Sequence, residues 1–341
     1  MKKEFAFVLA GIFLVSILVV GLSPAPAVSE TIKLTYANFP PAPTFPCIQM
    51  EKWKKVVEKR TNGKVSIQTF PGGTLLKAKG MMDGVIAGTA DIGCLCMAYQ
   101  PGRFLITNAT ALPLGLPNSE VASLTLWDLY KKYKPEAFAK VKVLTMFTTA
   151  PSNIMSKIPI RNLEELKGVP IRASGGAAQI LKAWGANRVG MPMPETPEAL
   201  QKGVVKGLFS SLEVMKDFKF AELCKYVTLT ETPVYPFAVV MNMDKWNALP
   251  DDVKAVFDEL GTQQSAWTGA YMDNHVIESI NWSKEKQGVK VFTLSEEQKA
   301  KWDKLLEPIV DNWIKANAEK GLPAKQIVED IKDFARMYEG K

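Results

Sequence analysis

One strand–helix–strand–helix–strand pattern occurs twice in this chain, and few architectures accommodate two such copies in series. The first copy runs Ile32-Lys33-Leu34-Thr35-Tyr36, a periodic stretch to Arg60, Val65-Ser66-Ile67, a second periodic stretch to Ala87, and Asp91-Ile92-Gly93-Cys94-Leu95. The second runs Val169-Pro170-Ile171-Arg172, a periodic stretch to Ala186, residues 189–193, a stretch over 197–205, and Leu208-Phe209-Ser210-Ser211. Before the third strand both copies carry a glycine-bounded turn, Gly84-Val85-Ile86-Ala87-Gly88 and Gly203-Val204-Val205-Lys206-Gly207, read here as the same turn. Alternating strands and helices build open α/β sheets, so the expected fold class is α/β with two lobes.

The N-terminus reads as an export signal. Lys2 and Lys3 precede an apolar run over residues 5–21, and Ser23-Pro24-Ala25-Pro26-Ala27-Val28-Ser29 supplies small residues for cleavage after Ala27 or Ser29. The run is slightly short for a membrane span of about 20 residues, and prolines follow it. A periplasmic protein with residues 1–29 removed is therefore expected. Removal takes away two lysines and one glutamate and lowers the net charge from +7 to +6. The excess is spread out, and no basic stripe interleaved with aromatics points to nucleic acid. The four cysteines, Cys47, Cys94, Cys96 and Cys224, allow three complete pairings. Cys94 and Cys96 share one strand face and sit too far apart to bridge easily, so small buried side chains are the expected role. With His275 the only histidine, neither a metal site nor a cofactor site is expected.

Residues 45–60 place Ile48, Trp53, Val56 and Val57 on one helical face, and Asn62-Gly63 ends that helix. Further helices are expected over 119–133 and 162–168, and strands over 141–147 and 234–241. Crossings between lobes are expected at 148–152 and near Val234. Leu249-Pro250-Asp251-Asp252 starts a helix, with proline early and acids in the first turn. Helical periodicity then continues to Gln287. One helix of that length would measure roughly 57 Å; Gly261 or Gly269 would be the place for a break into two. The expected organisation is a signal (1–29), lobe I (30–148 with 237–262) and lobe II (149–236 with 263–330).

Four segments carry a family resemblance: Lys59-Arg60-Thr61-Asn62-Gly63-Lys64-Val65, Val85-Ile86-Ala87-Gly88-Thr89-Ala90-Asp91-Ile92, Asn162-Leu163-Glu164-Glu165-Leu166-Lys167-Gly168-Val169-Pro170-Ile171-Arg172, and Glu198-Ala199-Leu200-Gln201-Lys202-Gly203-Val204-Val205-Lys206-Gly207. In their order and spacing the chain resembles the periplasmic solute-binding proteins of TRAP (tripartite ATP-independent) transporters, the group named for C4-dicarboxylate binding. The resemblance covers residues 32–310. It implies a venus-flytrap fold with a long helix spanning both lobes. It also implies delivery of a small organic acid to an ion-driven permease made of one small and one large membrane protein. A monomer is expected.

In open α/β sheets, ligands lie beyond the carboxyl ends of the strands. That rule selects residues 36–39 and 96–100 on one lobe, and 172–175 and 209–213 on the other. Arg172 is the leading candidate, because a guanidinium fork matches a carboxylate with two parallel hydrogen bonds. In the resembled family an arginine at this place clamps the solute's carboxylate. After Gly207 the chain departs from the family's commonest pattern: Leu208-Phe209-Ser210-Ser211-Leu212-Glu213 lacks the usual asparagine. Ser210 or Ser211 would then supply a weaker polar contact and Phe209 an apolar wall, which favours a monocarboxylate with an apolar or aromatic body over a C4-dicarboxylate. Asn38, Phe39, Tyr99, Gln100, Thr149, Ser174, Glu213, Tyr235 and Phe237 complete the expected ligand-binding set. A secreted enzyme is disfavoured by the absence of a Gly-x-Ser-x-Gly elbow or a glycine-rich phosphate loop. A binding lobe for a sensor kinase or an ATP-driven importer is the other alternative.

Overall fold

The structure, a computed structural model, describes residues 30–339; the expected export signal lies outside them. In chain order the strands are β1 (Ile32–Asn38), β2 (Val65–Phe70), β3 (Ile92–Cys96), β4 (Val141–Thr148), β5 (Asn153–Ser156), β6 (Pro170–Arg172), β7 (Asn187–Val189), β8 (Gly207–Ser210), β9 (Tyr226–Leu229), β10 (Pro236–Asn242) and β11 (Lys290–Thr293). They form two sheets, ordered β2-β1-β3-β10-β4 and β11-β9-β5-β8-β6-β7.

The two sheets repeat one plan. Each has three parallel strands with the first in the middle, β2-β1-β3 and β7-β6-β8. Each then continues with an antiparallel strand contributed by the other half of the sequence. β10 pairs with β3 in the first sheet, and β5 pairs with β8 in the second. The chain therefore crosses between the sheets three times, after β4, after β9 and, through the helix Asp251–Gln287, between β10 and β11. The first two crossing segments run side by side, with Thr149 N donating to Tyr235 O at 3.0 Å and Ser152 N to Pro233 O at 2.8 Å. β3 and β8 are buried along their whole length, as strands in the middle of covered parallel sheets are.

The repeated turn needs a correction of register. Gly84 lies inside the helix Met81–Ile86, whereas Gly203 lies just beyond the helix Thr196–Gln201. The position equivalent to Gly203 is Gly88, and both have φ +75°. A helix that stops in the left-handed conformation favours glycine, which has no Cβ to clash. Three residues then lead each copy into its third strand, at Ile92 and at Gly207.

Residues Asp251–Gln287 form one unbroken helix of 37 residues, about 55 Å long. Neither glycine breaks it, because both serve close crossings. A Cβ on Gly261 would lie 2.9 Å from Leu144 O, and one on Gly269 would lie 2.8 Å from Ser119 O. The helix bonds to groups around both sheets. Thr145 Oγ1 donates to Gly261 O at 2.7 Å, and Gln264 Nε2 donates to Gln49 O at 3.1 Å. Asp273 accepts from the first amides of helix Ser119–Tyr133, Ser119 N at 2.7 Å and Glu120 N at 3.0 Å. Two turns on, Ser279 Oγ donates to Leu212 O at 2.8 Å. Among the C-terminal helices, Glu296–Lys304 sets Trp302 against Trp184, their rings 4.7 Å apart. Helix Ala324–Tyr338 returns to Ser119–Tyr133, where Tyr133 Oη donates to Asp330 at 2.6 Å. All four cysteines are buried free thiols.

Candidate ligand-binding site

The carboxyl ends of β1, β3, β6 and β8 converge with the crossing segments on one cavity. The approach is close enough to constrain the backbone. Gly175, which follows β6, has φ +55°, and a Cβ there would sit 2.8 Å from that of Ala98, which follows β3. Tyr99 Oη accepts from Met193 N at 3.0 Å, tying the end of β3 to the loop after β7.

Arg172 is the last residue of β6 and is only 1% exposed. Its Nε and Nη2 donate to Met191 O at 3.0 and 2.8 Å, and Nη2 also reaches Ser174 Oγ at 3.2 Å. These bonds hold one edge of the guanidinium. Nη1 has no acceptor among the described residues, and no carboxylate of theirs pairs with this cation. A buried charge ordinarily needs a counter-charge, so Arg172 presents an unmatched positive group to the cavity. Its field lowers the pKa values of Cys96, Tyr99 and Tyr235, yet burial dominates and leaves Cys96 and Tyr235 pushed up to about 12. All three stay neutral at physiological pH, so none competes as an anion.

The walls are aromatic. Phe39 packs edge-on to Tyr99 (centroids 5.5 Å) and parallel to Phe237 (6.2 Å), and Phe45 meets Phe237 edge-on at 5.5 Å. Pro40, Pro46, Met193, Val214 and Phe218 extend this apolar lining. Rings held in such offset and edge-on pairs form a rigid surface suited to a flat or apolar ligand body.

A second polar cluster lines the cavity. Glu213 is buried, and burial pushes its carboxyl up to about 7, with nearby Asp217 adding to the rise. Asp217 joins three elements: Oδ2 accepts from Phe45 N at 3.1 Å, and Oδ1 meets His275 Nε2 at 2.7 Å. Phe45 opens the helix Phe45–Arg60, whose N-cap Thr44 makes no side-chain cap bond. The aspartate thus satisfies an otherwise unpaired helix-start amide and complements the helix dipole. The bond to Asp217 raises the His275 pKa against the opposing effect of burial.

Of the residues expected at the site, Arg172, Phe39, Tyr99, Thr149, Ser210, Glu213, Tyr235 and Phe237 line this cavity. Four do not. Phe209 alternates with Ser210 along β8, so it faces the opposite side of the sheet and packs on Trp184 with centroids 5.4 Å apart. Its backbone still contributes, since Phe209 O accepts from Tyr235 Oη at 3.0 Å. Asn38 is turned inward, donating to Pro46 O at 2.8 Å and accepting from Phe39 N at 3.0 Å. Gln100 reaches outward to Lys79 O. Ser174 supports from behind, donating to Met191 O at 3.0 Å beside the guanidinium. Residues not anticipated from the sequence include Thr44, Phe45, Met193, Asp217 and Phe218, whereas Cys96 lies in the strand-end stretch 96–100 but is expected only as a small buried side chain. Thr44 and Phe45 begin the helix Phe45–Arg60, and Met193, Asp217 and Phe218 sit on loops or helix ends whose approach depends on the tertiary fold.

Two α/β sheets that share an arginine-bearing cavity define a two-domain solute-binding protein. Residues 37–317 match the model of the family described as bacterial extracellular solute-binding protein, family 7 (DctP). The chain belongs to that family, the periplasmic solute-binding proteins of TRAP transporters, which bind solutes and deliver them to a membrane permease rather than catalyse a reaction. It is 26% identical over 293 residues to the 2,3-diketo-L-gulonate-binding periplasmic protein YiaO of Escherichia coli, covering 83% of this chain and 87% of that one. A TRAP periplasmic solute-binding protein from Desulfovibrio salexigens, an open complex, is 54% identical. It superposes with a TM-score of 0.81 over 91% of this chain and 97% of its own. A marine-metagenome TRAP solute-binding protein specific for aromatic acids, solved with 3-hydroxybenzoate, is 28% identical, with a TM-score of 0.86 over 91% and 99% of the two chains.

Proposed function

We propose that this protein captures a small monocarboxylate with an apolar, aromatic body and hands it to a TRAP permease of one small and one large membrane subunit. The observation that carries the reading is Arg172, a buried cation without a carboxylate of its own, opening on a phenylalanine-lined cavity. The carboxylate of the solute completes the pair, and the rings of Phe39, Phe45 and Phe237 take its body. Two relatives support the class. The 28% identical protein binds aromatic acids, and the open 54% identical protein holds the C-terminus of a symmetry mate in its ligand site. A chain terminus is itself a carboxylate.

The lobes of this proposal are residues 30–148 with 237–262 and 149–236 with 263–330, bridged by the long helix and hinged at the paired crossing segments. The better superposition on the 3-hydroxybenzoate complex than on the open, more identical relative supports a closed cleft here. The mature protein is a periplasmic monomer that begins at Val28 or Glu30 after signal cleavage. Intact-mass spectrometry of the exported protein tests both parts. Denaturing conditions should give a mass starting at Val28 or Glu30, and native conditions should retain an added acid of aromatic size. A retained Met1, or a dicarboxylate as the captured mass, would contradict the reading.

A further inference from the structure

Arg172 has a role in the cavity as the carboxylate's partner; Glu213 has no such account. Glu213 Oε2 is buried and lacks a well-formed hydrogen bond; the neighbouring Ser211 hydroxyl, also without one, is near enough to lower the Glu213 pKa but falls short of bonding geometry. Buried polar atoms are almost always paired, because leaving one unmatched costs its full desolvation. The local structure gives Glu213 no internal job. It precedes the short helix Val214–Asp217 without capping it through its side chain, and among the described residues it forms no ion pair. Glu213 and Arg172 nevertheless line one cavity. They act on different neighbours, Arg172 on Cys96, Tyr99 and Tyr235, and Glu213 on Asp217 and His275. The cavity lining therefore carries a cation, an acid and aromatic rings.

We propose that Glu213 is a specificity-determining residue that hydrogen-bonds a hydroxyl carried by the bound acid at the end remote from its carboxylate. The inference rests on the carboxylate reading above and narrows the ligand to a hydroxylated aromatic acid. A hydroxyl is the group that fits this acid in either protonation state. It donates to the carboxylate and accepts from the carboxylic acid, and the group titrates at about pH 7. An ammonium would pair only with the ionised form and would bring a second charge into an apolar box. The relative solved with 3-hydroxybenzoate was also solved, as a surface mutant, with metahydroxyphenylacetate; both ligands carry a ring hydroxyl away from the carboxylate.

Titration calorimetry of the wild-type protein with benzoate and 3-hydroxybenzoate, repeated on Glu213→Met and Glu213→Gln, tests the assignment. The wild type should prefer the hydroxy acid by roughly tenfold, the value of one well-made hydrogen bond. Glu213→Met should bring the two acids to near parity by weakening the hydroxy acid alone, and Glu213→Gln should keep most of the preference, since an amide also pairs with a hydroxyl. Equal affinities in the wild type would overturn the Glu213 assignment while leaving the aromatic-acid reading intact, whatever the variants do. A preference that survives Glu213→Met unchanged would overturn it as well. Binding of neither acid would overturn both readings together.

Discussion

Replacing Arg172 with methionine removes the guanidinium while keeping a long apolar side chain in its place. In the solute-bound protein the carboxylate would then be desolvated without a cation, and truncating one partner of a buried charge pair costs about 2–5 kcal/mol. At about 1.4 kcal/mol per tenfold, Kd should rise by roughly 30- to 4,000-fold. The unliganded protein should lose little. Arg172 has no carboxylate partner to strand, and Met191 O, which accepts two of its bonds, keeps its bond from Ser174 Oγ at 3.0 Å. Removing an unpaired buried charge offsets part of what those two bonds contribute. Arg172→Lys should recover only some affinity, because an ammonium cannot offer the planar two-bond fork. Titration calorimetry with one identified solute reads the affinity, and scanning calorimetry of the unliganded variants reads the fold. Near-wild-type affinity in a folded Arg172→Met protein would refute the reasoning. A large loss of unliganded stability would show instead that Arg172 is a structural residue.

Ligand binding should draw the two lobes together by population shift, so small-angle scattering should give a smaller radius of gyration with saturating solute; superimposable curves would count against closure. His275, the sole histidine, has its folded pKa raised by Asp217. Its contribution should be full below its unfolded pKa of about 6.5 and be lost as pH rises through the higher folded value. Buried Glu213 acts in the same direction, from the usual carboxylate range up to about 7. Melting temperature against pH should therefore fall less steeply above neutrality in His275→Gln than in the wild type, and identical slopes would refute the pairing. Gly269→Ala should destabilise by about 1–3 kcal/mol, as overpacking does, because its Cβ meets the start of helix Ser119–Tyr133. Gly102→Ala, with open space around it, is the matched control and should unfold like the wild type.

The architecture was legible because its signals are local. Two copies of strand–helix–strand–helix–strand give two sheets built on one plan, and unbroken periodicity after Pro250 gives one long helix. What sequence could not settle was whether Gly261 and Gly269 break that helix or admit a neighbour, since both readings need the same absent side chain. Arg172 was legible as a lone charge at an uncharged strand end. Phe209 was misplaced because all of Gly207–Ser210 is buried, so no polar–apolar alternation marks which face looks into the cleft. The repeated turn was misaligned by four residues for a similar reason: two glycines four apart can each be the helix stop, and only φ distinguishes them. Asp217 escaped notice altogether. Its partners, Phe45 and His275, lie 172 and 58 residues away, a separation at which local pattern carries no information.

The central claim is that this cleft holds a monocarboxylate with an aromatic body rather than a short dicarboxylate. Competitive titration of benzoate-type acids against succinate, on protein unfolded and refolded to strip any captured solute, tests it directly. One buried guanidinium and a wall of phenylalanines predict tight binding of the aromatic acid and little or none of succinate, whose second carboxylate would sit unpaired among Phe39, Phe45 and Phe237. Succinate binding more tightly than every aromatic acid tried would contradict the account.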